Sequence, residues 1–511
     1  MSQESRTRKT FLNARVNLIF YFLTLLLSFF SRKIFLDILG ADFIGLTGTL
    51  QNLLSFLNLA ELGIGTAVGY VLYKPLFEQN QNKINEIISV FGYMYRWVGY
   101  IILIAGCILS VFLPWIYPNT HFNLSIIYFA FYSFLASSLI GYFINYRQTL
   151  LSADQKNYVV TAYFQTGNIL MTILQMVAAY YTRSYYIWIA INLFFGIIYS
   201  FILNWKINQV YPWLKSDVKS GKLLFKKYPE VIKLTKQVFV HKVGSIIQFQ
   251  ITPFLVYAFV SLQTVAFYGN YTLITDKLKI LLSNFLDSTS AGIGNLIAEG
   301  DKSKILKVYW ELMSLRFYFC GIIVCSLYLL IPPFIKLWLG EEYVLSNSVL
   351  ILVLTIFALN VIRGTTDQFI SGHGLYKDTW APITEIIIYL IIALIGGSLW
   401  GLEGLLFGNI SSLLIIVYGW KPYFLFKQGF KIPVWVYWKN IFIHLILVIV
   451  PFVIFKYLSF AFNFTFDNTS WISFIQFSLF IGIYFTIVQF FMLYLGSKGM
   501  RFFVKRLFSY K

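Results

Sequence analysis

Apolar runs of bilayer-spanning length recur along almost the whole of this chain, and no other feature limits its fold as severely. About 20 helical residues cover the roughly 30 Å hydrocarbon core of a membrane. Inside lipid every backbone N–H and C=O must find a protein partner, which leaves helices and closed barrels. Runs this long read as helices. They lie near 12–31, 43–73, 87–113, 122–146, 158–181 and 185–205, then near 237–260, 265–297, 312–335, 346–368, 380–399, 401–420, 436–459 and 471–496, fourteen in all. Composition agrees: 58% of 511 residues are hydrophobic, 12% are charged and the mean hydropathy is +0.71, too apolar for a solvated surface. The expected fold class is therefore all-α, a polytopic membrane protein. Arg6, Arg8 and Lys9 precede an apolar stretch with no small-residue cleavage site, so Val16 to Phe30 is expected to stay as the first span.

Lys and Arg in short loops set orientation. With a cytoplasmic N-terminus, the inner loops collect Lys74, Lys83, Arg147, Lys156, eight lysines from Lys206 to Lys236, Lys302, Lys304, Lys307, Lys377, Lys421, Lys427, Lys431, Lys439 and the basic tail, while the outer loops keep Arg32, Lys33, Arg183, Lys336 and Lys456. Both termini are expected inside. The segment 206–236 separates a six-span half, 1–205, from a second six-span half, 237–427, and 428–511 adds a helix pair and the tail. Contact of the basic loop with anionic headgroups is its simplest role. The halves echo each other: Gly63-Ile64-Gly65 matches Gly292-Ile293-Gly294, and Lys83-Ile84 followed by Arg96 matches Lys304-Ile305 followed by Arg316, as expected of parallel repeats.

Polar side chains at helical spacing mark the walls of an expected aqueous lumen. In the second span Gln51, Ser55 and Asn58 share a face, with Glu61 at its edge; in the fifth, Thr161, Gln165, Asn168, Thr172 and Gln175 do. The eighth carries Thr272, Asp276, Lys279, Ser283, Asp287 and Ser290, and the seventh Lys242, Ser245 and Thr252. In the tenth Asn360, Arg363 and Asp367 share a face, and the last two are spaced to pair at i, i+4. A charge at the bilayer centre costs on the order of 3 kcal/mol, so these faces should meet protein or water. Interhelical hydrogen bonding is the competing explanation for each stripe. Glu311, Glu385 and Glu403 fall near expected span ends, and the last two spans, polar only at His444 over 441–455, read as lipid-facing additions.

Signatures of other classes are missing. Cys107, Cys320 and Cys325 sit in apolar runs without ligand spacing, so no metal or disulfide framework is expected. Ser220-Gly221-Lys222 lacks the upstream glycine of a P-loop, and neither H-E-x-x-H nor G-x-S-x-G occurs. The expectation is no enzyme, no cofactor and no nucleic-acid partner. Short outer loops weigh against a membrane glycosyltransferase or polymerase.

The block FIGLTGTLQNLLSFLNLAELGIGTAVGYVLYKPL, following a first span that begins with Arg15 and Asn17, resembles the second-span region of polysaccharide-biosynthesis flippases. These are the O-antigen (Wzx-type) flippases of the multidrug/oligosaccharidyl-lipid/polysaccharide exporter superfamily. The resemblance implies a flippase in the bacterial cytoplasmic membrane that carries a polyprenyl-diphosphate-linked oligosaccharide from inner to outer leaflet by alternating access. Membrane lipids and other glycan-assembly proteins would be its partners. Arg15, Lys242 and Lys279 are the positions that would meet the diphosphate, with Arg363 a further basic candidate, while Gln51, Asn58, Gln165 and Asn168 would meet sugar. Glu61, Asp276 and Asp287 would couple an ion gradient or hold the basic residues in place. The alternative is a cation-coupled multidrug or metabolite exporter of the same fold, which would favour an acidic, aromatic cavity.

Overall fold

A computed structural model describes residues 6–61, 63–118, 120–229, 231, 235, 250–375, 377–461 and 470–509. No strand occurs among them. The long helices are α1 (Arg6–Leu39), α2 (Ala41–Leu57), α3 (Ile64–Phe77), α4 (Gln81–Ile116), α5 (Leu124–Phe143), α6 (Asn157–Thr182), α7 (Tyr185–Val210) and α8 (Gln250–Phe259). They continue with α9 (Leu262–Leu286), α10 (Ser290–Glu299), α11 (Lys302–Trp338), α12 (Asn347–Gly372), α13 (Trp380–Ser412), α14 (Trp435–Ala461), α15 (Trp471–Gly496) and α16 (Lys498–Ser509). The chain divides into two compact units, Met1–Ala266 and Phe267–Lys511.

Nine helical stretches among the described residues are long and apolar enough to cross a membrane. The expected spans outside that set are the polar ones: the second, now α2 and α3, the fifth, α6, and the eighth, α9 and α10, together with the seventh, of which α8 is the described end. Polar stripes lower the apolarity of α6 and α9, while the second span is split into helices of 17 and 14 residues, each too short to cross alone. One apparent span is two. α13 breaks at Gly401, whose φ of 55° and ψ of −126° suit a residue without a Cβ, and the second arm runs on through π-helical turns to Phe430. The arms fold back on each other, Gly396 against Gly404 and Ala393 against Gly408, so closely that a Cβ at Gly404 would overlap the Gly396 carbonyl. The expected runs at 380–399 and 401–420 are this hairpin. Apolar side chains at helical spacing face outward, Ile383, Ile387 and Ile391 on α13 and Ile104, Ile108, Val111 and Trp115 on α4. Such stripes belong against acyl chains, and the protein is a multi-pass membrane protein.

Two differences from the sequence reading matter for the site. The second and eighth spans are each interrupted by a turn of 3₁₀-helix, at Asn58–Glu61 and Asp287–Thr289, where continuous helices were expected. Gly63, with φ 89°, restarts the chain into α3. The last helices are also more than lipid-facing additions: α14, α15 and α16 pack on α11. His444 lies buried between Ser314 and Ser497, with Nε2 2.9 and 3.0 Å from their hydroxyls, and Nδ1 2.7 Å from the Asn440 carbonyl. Glu311, 1% exposed, meets Arg506 of α16 at 3.1 Å.

The basic segment after α7 folds back on α4. Asp217 caps the short helix Val218–Leu224, and the Lys219 and Ser220 backbone N–H groups hold its carboxyl below the ordinary range. Lys227 Nζ and the Tyr228 hydroxyl donate to Glu86 Oε2 at 2.7 and 2.6 Å.

The α13 hairpin generates a stability test. Gly404→Leu should destabilise the protein by about 3 kcal/mol, the upper range for forcing extra volume into a packed contact, whereas Gly482→Leu, with nothing within 4 Å of its Cβ position, should be near neutral. Thermal unfolding of the two purified variants measures this; equal stability would show that the arms are not closely packed.

Candidate functional site

Each unit places a carboxylate at its helix break. A break frees backbone N–H and C=O groups and opens a gap between helices, which makes it a place where polar side chains gather in a membrane bundle. In the first unit the carboxylate is Glu61. It accepts hydrogen bonds from the Tyr95 hydroxyl of α4 and, at 2.7 Å, from the Tyr142 hydroxyl of α5. Tyr142 also lies 3.0 Å from Asn58 Oδ1, which accepts from Ser138 Oγ at 3.1 Å. No basic side chain pairs with Glu61 among the described residues.

In the second unit the carboxylate is Asp287. Arg316 Nη2 of α11 donates to its Oδ1 at 2.6 Å. The Arg316 side chain is only 3% exposed and spends its other donors on α12: Nε to Thr365 Oγ1 at 2.8 Å, Nη1 to the Val361 carbonyl at 2.9 Å, and Nη2 also to Gln368 Oε1 at 3.3 Å. Gly364 lets the guanidinium lie against the α12 backbone, because a Cβ there would overlap it.

The two breaks are built to one plan. Tyr95 lies fourteen residues after the first residue of α4, and Arg316 fourteen after the first residue of α11. Tyr142 lies eighteen after the first residue of α5, and Thr365 eighteen after the first of α12. Side-chain caps, Asn80 on Lys83 N–H and Asp301 on Ser303 and Lys304 N–H, start α4 and α11 at matching points. The counterpart of Arg316 is thus Tyr95; the expected counterpart, Arg96, is exposed on α4. The plan is kept and the chemistry changed, from two phenols to a guanidinium.

A second network shares α12. Arg363 Nε donates to Asp367 Oδ2 at 2.9 Å, the i, i+4 pair that the spacing predicts, and Lys421 Nζ donates to Asp367 Oδ1 at 2.8 Å. Glu385 Oε1 lies 4.0 Å from Arg363 Nη1 and is buried, five residues after the first residue of α13, near the span end where it is expected. Lys279 of α9, half-buried, is within electrostatic reach of both Arg363 and Asp276.

The structure therefore brings Asn58 and Glu61 together, joins Asp287 to Arg316, and places Lys279 by Asp276 and Arg363. Arg15 and Gln51 are exposed on α1 and α2 and join neither break; Gln165 and Asn168 are half-buried on α6. Lys242 lies outside the described residues. Tyr95, Tyr142, Arg316, Gln368, Glu385 and Lys421 were not legible as site residues. The one usable signal was register: aligning the capped starts of α4 and α11 points to Tyr95 and Arg316 as equivalents.

No family model matches the sequence, and no curated protein matches it. Solved structures do share the fold. The chain is similar to the lipid II flippase MurJ in an inward closed conformation, with a TM-score of 0.65 and 15% identity over 93% of this chain and 98% of that one. It is similar to an inward-facing multidrug resistance MATE family transporter of the MOP superfamily, with a TM-score of 0.61 and 14% identity over 82% and 99%. A Vibrio cholerae MATE transporter, VcmN, matches at a TM-score of 0.50 and 14% identity over 83% and 99%. The chain has the fold of the MOP-superfamily transporters.

The Asp287–Arg316 pair should behave as one unit. Asp287→Ala leaves Arg316 buried without that counter-charge and should cost about 3 kcal/mol, the low end for breaking a buried pair because Asp287 is half-exposed. Adding Arg316→Met should recover at least about half of that loss. A double-mutant cycle by chemical unfolding reads both, and strictly additive costs would mean the residues are independent.

Proposed function

We propose that the protein is a flippase that moves a polyprenyl-diphosphate-linked oligosaccharide from the inner to the outer leaflet by alternating access. The observation that carries this reading is the unlike chemistry of the two units. Among the described residues the second places Lys279, Arg316, Arg363 and Lys421 within its helices, while the helix break of the first is lined by the hydroxyls of Tyr95, Tyr142 and Ser138 and the amide of Asn58. A lipid diphosphate asks for cations that hydrogen-bond phosphate oxygens in a partly dry site, and its glycan asks for neutral donors and acceptors. The likeness to a lipid II flippase supports the fold such a task uses. Lys279, half-buried, is the cation assigned to the diphosphate, with Lys242 and Arg15 as further candidates; Asp276 is its counter-charge, while Arg363 is tied to Asp367 and Glu385.

Among the acidic candidates, Glu61 is assigned the coupling role. Protonating Glu61 breaks no ion pair, because its neighbours are hydroxyls and an amide. Protonating Asp287 breaks one. Asp287 is then structural. The same acid–tyrosine site favours the second reading, a cation-coupled exporter of small molecules, to which the MATE-like fold is equally suited.

Proteoliposomes carrying a fluorescent polyprenyl-diphosphate oligosaccharide separate the readings. Wild type should move the lipid, Lys279→Ala should slow it at least about tenfold, equivalent to roughly 1.4 kcal/mol of lost interaction, and Glu61→Gln should remove acceleration by an imposed proton gradient. A wild type that moves no lipid but exchanges protons for an organic cation would establish the exporter.

A further inference from the structure

A second polar site lies wholly inside the first unit, apart from the helix break. The turn after α5 and the facing sides of α5, α6 and α7 enclose a cavity of about 290 Å³. That is near the lower end of the roughly 300–1,000 Å³ typical of small-molecule sites. Its lining holds no charged side chain. Gln148, Asn168 and Asn192 contribute amides, and Tyr163 and Tyr199 contribute phenols. All five are half-buried, and among the described residues none of these side chains makes a hydrogen bond within the protein. The remaining amide, Asn145, is already satisfied: its Nδ2 donates to Ser200 Oγ at 2.9 Å, and its Oδ1 accepts from Asn204 at 3.0 Å. So the wall is fixed and the groups facing the space are open.

Room is made by glycine. At Gly141 a Cβ would meet nothing within 4 Å, so the space beside α5 is unfilled, and Gly167 lets the Tyr199 ring lie flat against α6. Phe195 stacks on Tyr199 at 5.9 Å, which gives the cavity an aromatic wall beside its amides.

Unmet amides are costly in a membrane bundle, where each needs a partner. Three carboxamides and two phenols offer both donors and acceptors without charge. Phosphate would gain no cation here, and an acyl chain would leave every amide unpaired. A ring bearing several hydroxyls, with an apolar C–H face for Tyr199 and a polar rim for the amides, satisfies all of them. We infer that this cavity is a binding site for one neutral sugar unit, resting on the glycan-carrying function proposed above and locating the sugar in the first unit.

The test is saturation-transfer NMR on the purified full-length protein with free N-acetylglucosamine and methyl glucoside as neutral probes, and glucuronate as the charged control. The neutral probes should bind with Kd on the order of 1–10 mM, and glucuronate should give a much weaker signal. Asn168→Leu and Asn192→Leu remove the amides, and Gly141→Leu fills the space while keeping every polar group; each should reduce the neutral-sugar signal at least about tenfold at unchanged melting temperature. Undiminished signal in all three variants, equal binding of glucuronate, or no neutral-sugar signal in wild type would overturn the site. Because the measurement needs no transport, sugar binding without lipid movement would remove the flippase reading alone, and lipid movement without sugar binding would remove this inference alone.

Discussion

The cost of an unpartnered polar group in hydrocarbon governs this protein. A helix that crosses lipid can be interrupted only where side chains or neighbouring helices take over the freed backbone groups, and a charge can be placed there only with partners at hand. Both units obey this in the same way. A turn of 3₁₀-helix stops the chain, a carboxylate sits at the turn, and a partner comes from fourteen residues into α4 or α11; eighteen residues into the following helix, Tyr142 meets Glu61 directly, whereas Thr365 accepts from Arg316. The arrangement is an internal repeat seen in contacts more plainly than in residues.

Conserving the plan while changing the partners gives the two units different capacities. Glu61 held by Tyr95 and Tyr142 is free to change its charge without losing an ion pair; Asp287 held by Arg316 is not. The buried Arg316 in turn pins α11 to α12, and α11 carries the C-terminal helices on its other side through Ser314, His444 and Glu311. The second unit is braced at its break by a buried ion pair, and the first keeps open hydrogen-bonding groups in its amide-lined cavity. Among the described residues, the break of the first unit is lined by hydroxyls and an amide and that of the second by a guanidinium.

Much of this was legible from residue spacing. Apolar length predicted the spans, including the pair at 380–420 that Gly401 turns into a hairpin. Polar periodicity picked out Asn58, Glu61, Asp287 and the Arg363–Asp367 pair. The breaks were not legible, because a single 3₁₀ turn barely disturbs the angular spacing of a stripe. Tyr95 and Tyr142 were two among 36 tyrosines. Arg316 was visible as a repeated basic residue, but a one-residue slip assigned it to Arg96, which faces outward. Glu385 does lie near the start of α13, as hydropathy placed it; what hydropathy could not show was its burial beside Arg363.

The central proposal is that Glu61, which has no basic partner among the described residues, and not the Arg316-paired Asp287, is the carboxyl that couples transport by gaining and losing a proton. Infrared difference spectroscopy of the protein in lipid, cycled between acidic and neutral pH, observes this directly through the carbonyl stretch of a protonated carboxyl. The account predicts such a band in wild type that disappears in Glu61→Gln and persists in Asp287→Asn. A band that survives Glu61→Gln but vanishes with Asp287→Asn would contradict it.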